Sequence, residues 1–211
     1  GSGRYLAEQL LGADLVKNEI TAQLVSAAEF IPEVDTIFEI GGQDSKYIDA
    51  GGGRLRDFEM NKICAAGTGS FLEEQAERLG VRIRGEFAEL ALGSRRPRDL
   101  GTRCTVFMDA ELVRAQAQGT PVEDICAGLA YSVARNYLEK VVAGRPVGQT
   151  VVFQGGTASN DAVVAAFNEM LGRPVRVHPY NRVSGAIGMA LLAARERERT
   201  GRTSSFRGYD S

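Results

Sequence analysis

Apolar residues recur at helical spacing from the start of the chain: Leu6, Leu10, Leu11 and Leu15, then Ile20, Leu24 and Val25. Two helices are expected there, the second opened by Asn18 as N-cap with Glu19 in its first turn. After Pro32 the period changes to that of strands. "VDTIFEIGG", "QDSKYIDA" and, behind "GGGR", "RLRDFEMN" read as three strands with a glycine turn, a meander. A helix over 68–79 follows, then a short helical patch at "GEFAELAL" and a loop at "SRRPRD". "GTRCTVFM" reads as a strand-like or extended entry to the helix "DAELVRAQAQG". Pro121 takes the place of a first helical residue in the long helix "PVEDICAGLAYSVARNYLEKVVAG". "TVVFQGG" then reads as a buried strand, "ASNDAVVAAFNEMLG" as a helix, "PVRVHP" as a strand and "NRVSGAIGMALLAARERE" as a final helix. The closing "RERERTGRTSSFRGYDS" loses the period and reads as a solvated helix end with a tail.

Three strands, helices, and then two strand–helix units predict an α/β layer architecture, the ribonuclease-H-like lobe. Composition fits one globular domain or two small lobes, since 44% of the 211 residues are hydrophobic. A net charge of −2 without a basic block argues against a nucleic-acid surface. No apolar run approaches the roughly 20 residues of a membrane helix, and no signal peptide is recognisable. Three widely spaced cysteines do not make a secreted disulfide framework, so a reducing cytoplasm is the expected compartment. Because the chain enters a helical pattern at once, a piece of a longer protein is expected.

Two glycine pairs end buried strands, Gly41-Gly42 after "TIFEI" and Gly155-Gly156 after "VVFQ". Either pair alone could merely turn the chain. Both at equivalent points of one lobe, each followed by polar residues (Gln43, Asp44; Thr157, Asn160), point to a nucleotide cleft at the carboxyl ends of the strands. Neither a Walker-type phosphate loop nor a dinucleotide fingerprint is present. Glu39, Asp44 and Lys46 lie in or beside the meander. Asp44 suits Mg²⁺ held through water, and Lys46 is either a phosphate contact or a solvent-facing strand residue. Cys64, before "AAGTG", and Cys104, in "RCTVFMDAEL", both precede helices, where the macrodipole favours a thiolate; each taken singly reads first as a small buried hydrophobe, and the matching pair shifts that reading. Together they make half of a four-thiolate site, which a two-fold axis would complete in a homodimer. Cys126, mid-helix among apolar residues, reads as structural. His178 is the sole histidine, which leaves no Ser-His-Asp or histidine-rich site. Glu73 and Glu74 read as a solvated helix face from which one could still reach a ribose.

The segments "IFEIGGQDSKYI", "MNKICAAGTGSFLEEQA", "RCTVFMDAEL", "FQGGTASNDAVVAAF" and "SGAIGMALL" occur in the same order as in the BadF/BadG/BcrA/BcrD-type ATPases, which this chain resembles over nearly its whole length. The resemblance is strongest to the second activase-like domain of the large fused members. It implies the acetate kinase/Hsp70/actin (ASKHA) fold, binding of ATP/ADP with Mg²⁺, and a homodimer around one [4Fe–4S] cluster. It also implies ATP-driven delivery of a low-potential electron to a 2-hydroxyacyl-CoA dehydratase or benzoyl-CoA reductase-like acceptor. Cys64 and Cys104 match the cluster ligands, Gly41, Gly42, Gln43, Asp44 and Lys46 the second phosphate motif, and Gly155, Gly156 and Asn160 the adenosine motif. Glu39 stands where the family usually has Asp, with Glu39 and Asp44 placed at the Mg²⁺ and its water. The implied organisation is a helical remnant of a first lobe over 1–32, the ribonuclease-H-like lobe over 33–182, a C-terminal helix over 183–199 and a flexible tail over 200–211, with a second lobe mostly missing. The family's first phosphate loop, D-x-G-S-T-x-T-K, has no counterpart before "GSGRYL", so weak nucleotide binding is expected of this piece on its own. Ser70 replaces an Arg of simpler activators, and "NKIC" replaces "NDKC". Two other readings use the same residues: a small-molecule kinase of the same superfold, and a non-catalytic docking module of a larger protein.

Overall fold

A computed structural model describes residues 3–61, 67–102 and 105–204, with 105–107 described for their backbone only. The meander forms as its hydrophobic pattern requires. Strands β1 (Thr36–Ile40), β2 (Ser45–Asp49) and β3 (Asp57–Met60) pair antiparallel in sequence order. Strand β4 (Val151–Gln154) returns beside β1 and parallel to it, and the two-residue β5 (Arg176–Val177) adds parallel to β4. The sheet order is therefore β3-β2-β1-β4-β5. β1 and β4 are buried along their whole length, their polar residues Thr36, Glu39 and Gln154 included.

Eight helices surround the sheet among the described residues: α1 (Arg4–Leu11), α2 (Glu19–Phe30), α3 (Gly69–Arg78), α4 (Glu86–Gly93), α5 (Thr105–Ala117), α6 (Val122–Tyr137), α7 (Asp161–Leu171) and α8 (Ser184–Thr200). Strand side chains alternate between two cores. Phe38, Ile40, Tyr47 and Phe153 face the larger one, with α3 to α7, while Ile37, Ile48 and Val152 face a smaller one closed by Ile20, Leu24 and Ala27 of α2 and by Ile31 just after it. Residues 1–32, expected to be a remnant of another lobe, thus supply α2 to this sheet. In the larger core Phe38, Tyr137, Phe153 and Phe167 form an aromatic cluster with centroids 4.9 to 5.6 Å apart. Tyr137 also donates its hydroxyl to the Lys46 carbonyl at 2.7 Å, fixing α6 across β2.

The cap assignment at Asn18 holds, its side chain accepting from the Ile20 N–H, and Asn160 proves to cap α7 in the same way, accepting from Ala162 and Val163. Three local expectations change. Residues 105–108 are the first turn of α5 and not an extended entry, because Met108, Leu112 and Ala115 turn one helical face to the core. Pro121 is the N-cap of α6, with ψ of 144°, one residue ahead of the place expected. "PVRVHP" yields only two strand residues, both exposed. No helix among the described residues is long and apolar enough to cross a membrane.

Candidate functional site

Because β1 and β4 run parallel, both glycine pairs emerge at the same end of the sheet. A cleft of about 440 Å³ opens there, between Gly42, Gly69, Leu72 and Glu73 on one side and Gly156, Thr157, Ser159 and Asn160 on the other, with Arg84 and Arg182 at its rim. The four glycines do different things. Gly155, at φ +90°, lies so close to β1 that a Cβ would stand 2.3 Å from the Ile40 carbonyl; it joins the strand ends. A Cβ on Gly156 would meet nothing within 4 Å, so its backbone borders open space in the cleft. Gly41 and Gly42 are tied to α3, whose Gly69 and Ser70 N–H groups donate to their carbonyls at 2.9 and 2.8 Å. Those two positive-end N–H groups of α3 are thereby already engaged.

Among the described residues that line the cleft, two buried polar atoms have no partner: the Thr157 hydroxyl and the Asn160 Nδ2, whose Oδ1 meanwhile caps α7. Buried polar groups are nearly always satisfied, so both atoms fit a polar ligand. Glu73, on α3, lines the same space. Gln43 is exposed and donates to the Ser70 hydroxyl at 3.0 Å.

Glu39, Asp44 and Lys46 come together at the β1–β2 turn. Glu39 and Lys46 are direct cross-strand partners, and the Lys46 ammonium lies 2.8 Å from Glu39 Oε2 and 2.8 Å from Asp44 Oδ2. Lys46 is buried, so the solvent-facing alternative does not hold. Burial pushes the Glu39 carboxyl upward, against the pull of Lys46. Burial lowers Lys46, but Glu39 and Asp44 outweigh it and hold the ammonium above the ordinary lysine range. Each carboxylate keeps a second oxygen, and the Asp44 side chain is half exposed, which leaves it able to hold a hydrated cation. None of these three residues, nor Gly41 or Gly155, lines the cleft itself.

Cys64 and Cys104 lie outside the described residues, and among the described ones no three metal-ligating side chains converge. Cys126 is a buried free thiol, its pKa pushed up to about 11 by burial, as a structural cysteine should be. Sequence reasoning passed over Asn181 and Arg182. Both bond to the Gly155–Ser159 turn, and no spacing signal marked them.

Residues 1–193 match the model of the BadF/BadG/BcrA/BcrD ATPase family. The (R)-2-hydroxyglutaryl-CoA dehydratase activating ATPase of Acidaminococcus fermentans is 37% identical over 194 residues, which cover 92% of this chain and 73% of that protein. The crystal structure of the A. fermentans (R)-2-hydroxyglutaryl-CoA dehydratase component A superposes with a TM-score of 0.87 at 35% identity, over 93% of this chain and 74% of that one. The activator of the 2-hydroxyisocaproyl-CoA dehydratase from Clostridium difficile, solved with bound ADPNP, gives 0.81 at 32% identity, over 90% and 71%. An uncharacterized protein of Methanocaldococcus jannaschii is 36% identical over 198 residues. The chain spans about half the length of that relative, 48%, although the match covers 92% of this chain. With the observed sheet order, these likenesses make the fold the ribonuclease-H-like lobe of the ASKHA ATPases.

Proposed function

Because the chain belongs to the BadF/BadG/BcrA/BcrD ATPase family, we propose that it is the nucleotide-binding activase part of an ATP-dependent electron-transfer activator. Its acceptor would be a 2-hydroxyacyl-CoA dehydratase- or benzoyl-CoA reductase-like partner, the class with which its named relatives are associated. The observation that carries this reading is the cleft at the paired strand ends, lined by Thr157 and Asn160, whose hydroxyl and Nδ2 are unpartnered.

In this reading ATP or ADP lies against Gly42 and Gly156, where no side chain blocks the approach of phosphate or ribose. Thr157 and Asn160 hydrogen-bond the nucleoside, and Glu73 is placed for a ribose hydroxyl. Asp44 and Glu39 hold Mg²⁺ through its water shell by the oxygens that Lys46 leaves free, and Lys46 keeps the two carboxylates from repelling each other. Cys64 and Cys104 of two copies hold a [4Fe–4S] cluster on the two-fold axis of a homodimer. When bound, the cluster supplies a one-electron redox centre and Mg²⁺ screens the phosphate charge. α3 begins five residues after Cys64 in the sequence and lines the cleft through Gly69, Leu72 and Glu73, so the helix that borders the nucleotide site starts close to a cluster ligand along the chain.

The test is anaerobic reconstitution of the complete protein with iron and sulfide, followed by ADP titration. A brown dimer with one cluster per two chains that binds ADP is expected. A colourless monomer that ignores ADP overturns the proposal.

A further inference from the structure

We propose that Asn181, which belongs to none of the glycine or cysteine motifs, is the positioning residue that holds the Gly155–Ser159 turn in its ligand-binding shape. The proposal rests on the nucleotide reading of the cleft. Three hydrogen bonds to that turn converge on this residue. Its carbonyl accepts the Gly155 N–H at 2.9 Å, and its side-chain Nδ2 donates to the Gly155 carbonyl at 2.9 Å and to the Ser159 hydroxyl at 2.8 Å. Both backbone groups of Gly155 are therefore taken by Asn181, and the residues left to face a ligand are Gly156, Thr157, Ser159 and Asn160. Arg182 reinforces the arrangement, donating Nε to the same Ser159 hydroxyl at 3.0 Å while lining the cleft.

Asn181 is itself firmly placed. Its N–H donates to the His178 carbonyl at 3.0 Å, and the Ser184 hydroxyl donates to its carbonyl at 3.3 Å. His178 is fully buried; its N–H donates to the Phe153 carbonyl, and its Nδ1 accepts the Tyr180 N–H at 3.0 Å. That acceptor role leaves the ring proton on Nε2, 3.1 Å from the Ser26 hydroxyl of α2. A continuous run of hydrogen bonds thus links α2, the buried imidazole, the 178–182 turn and the cleft wall. Only a short carboxamide serves here, because position 181 must present two N–H donors to two oxygens at once. Asp would match the shape but would set a carboxylate against the Gly155 carbonyl.

ADP titration calorimetry on the complete protein tests this with Asn181→Asp, Ser159→Ala and the double variant, alongside the unfolding midpoint of each without nucleotide. Asn181→Asp is expected to weaken ADP binding about tenfold or more, and Ser159→Ala about threefold, the loss of hydrogen bonds to uncharged partners. The double variant should bind no more weakly than Asn181→Asp, because both changes break one network; a purely structural role would lower the midpoint without this coupling. Dissociation constants within twofold of the parent in both single variants overturn the assignment, as does full additivity in the double variant. Where Asn181→Asp does not fold, Ser159→Ala decides: threefold weakening supports the assignment, and an unchanged constant overturns it. A parent protein that does not bind ADP overturns the nucleotide reading first, and this assignment with it.

Discussion

A lysine ammonium buried between two carboxylates is the most consequential single residue of the turn after β1. Replacing Lys46 with Met would leave Glu39 buried and unpaired, at a cost of about 3 to 5 kcal/mol. Asp44→Asn removes only the half-exposed partner and should cost less than about 1 kcal/mol. Urea unfolding of the two variants checks the contrast, and equal losses would mean that Glu39 is hydrated after all. The glycines divide in the same way. Gly156→Ala should change stability by no more than about 1 kcal/mol yet weaken ADP binding, since its Cβ projects into the cleft. Gly155→Ala should cost several-fold more stability, having both a positive φ and the Ile40 carbonyl in its way. His178 gives a pH signature. Burial lowers its pKa below the ordinary 6.5, so the folded state binds a proton less readily than the unfolded chain. Its stability contribution is complete above about 6.5 and is lost as pH falls through the depressed value, with a slope of up to about 1.4 kcal/mol per pH unit. The unfolding free energy of His178→Gln should lack this part of the acid slope; parallel pH profiles for the two proteins would exclude it.

At the scale of elements, the contact between α2 and α8 depends on one missing side chain. A Cβ on Gly188 would lie 1.8 Å from the Ala22 carbonyl, a backbone atom that cannot step aside. Gly188→Ala should therefore cost about 3 kcal/mol or prevent α8 from docking, whereas Gly185→Ala meets only the Gln23 amide at 3.3 Å and should cost about 1 kcal/mol or less. Thermal unfolding distinguishes them, and similar midpoints would show that α8 shifts freely. Local chemistry made most elements legible. Asn18 announced a helix start because an N-cap needs nothing beyond its own first turn. "TVFM" misled because β-branched and aromatic residues favour extended chain, and the core contacts that override this come from other elements. "PVRVHP" gave the right element at greater length than forms: a sheet edge with two exposed residues has little to hold a longer strand.

Across the whole molecule, the dimer prediction is the most exposed to test. Cys64→Ser and Cys104→Ser should each abolish the iron–sulfur absorbance and the dimer together, while Cys126→Ser, deep in the larger core, should keep both and lose only about 1 to 2 kcal/mol of stability. Sedimentation with visible spectroscopy follows both quantities, and a dimer that survives without the cluster would separate the two roles. The sequence by itself determined the order of elements, the two glycine pairs at strand ends and the structural cysteine, because each of these is written in neighbouring residues or in a local period. It placed Glu39, Asp44 and Lys46 close along the chain but could not say that they neutralise one another. Only the tertiary structure decided that Gly155 is a packing glycine and Gly156 faces the cleft, that Lys46 is buried, and that Asn181, held through the His178 carbonyl, bonds to the Gly155–Ser159 turn. The contacts of Asn181 with that turn and of His178 with Ser26 join residues 22 to 152 positions apart. No pattern of neighbouring side chains encodes such distances.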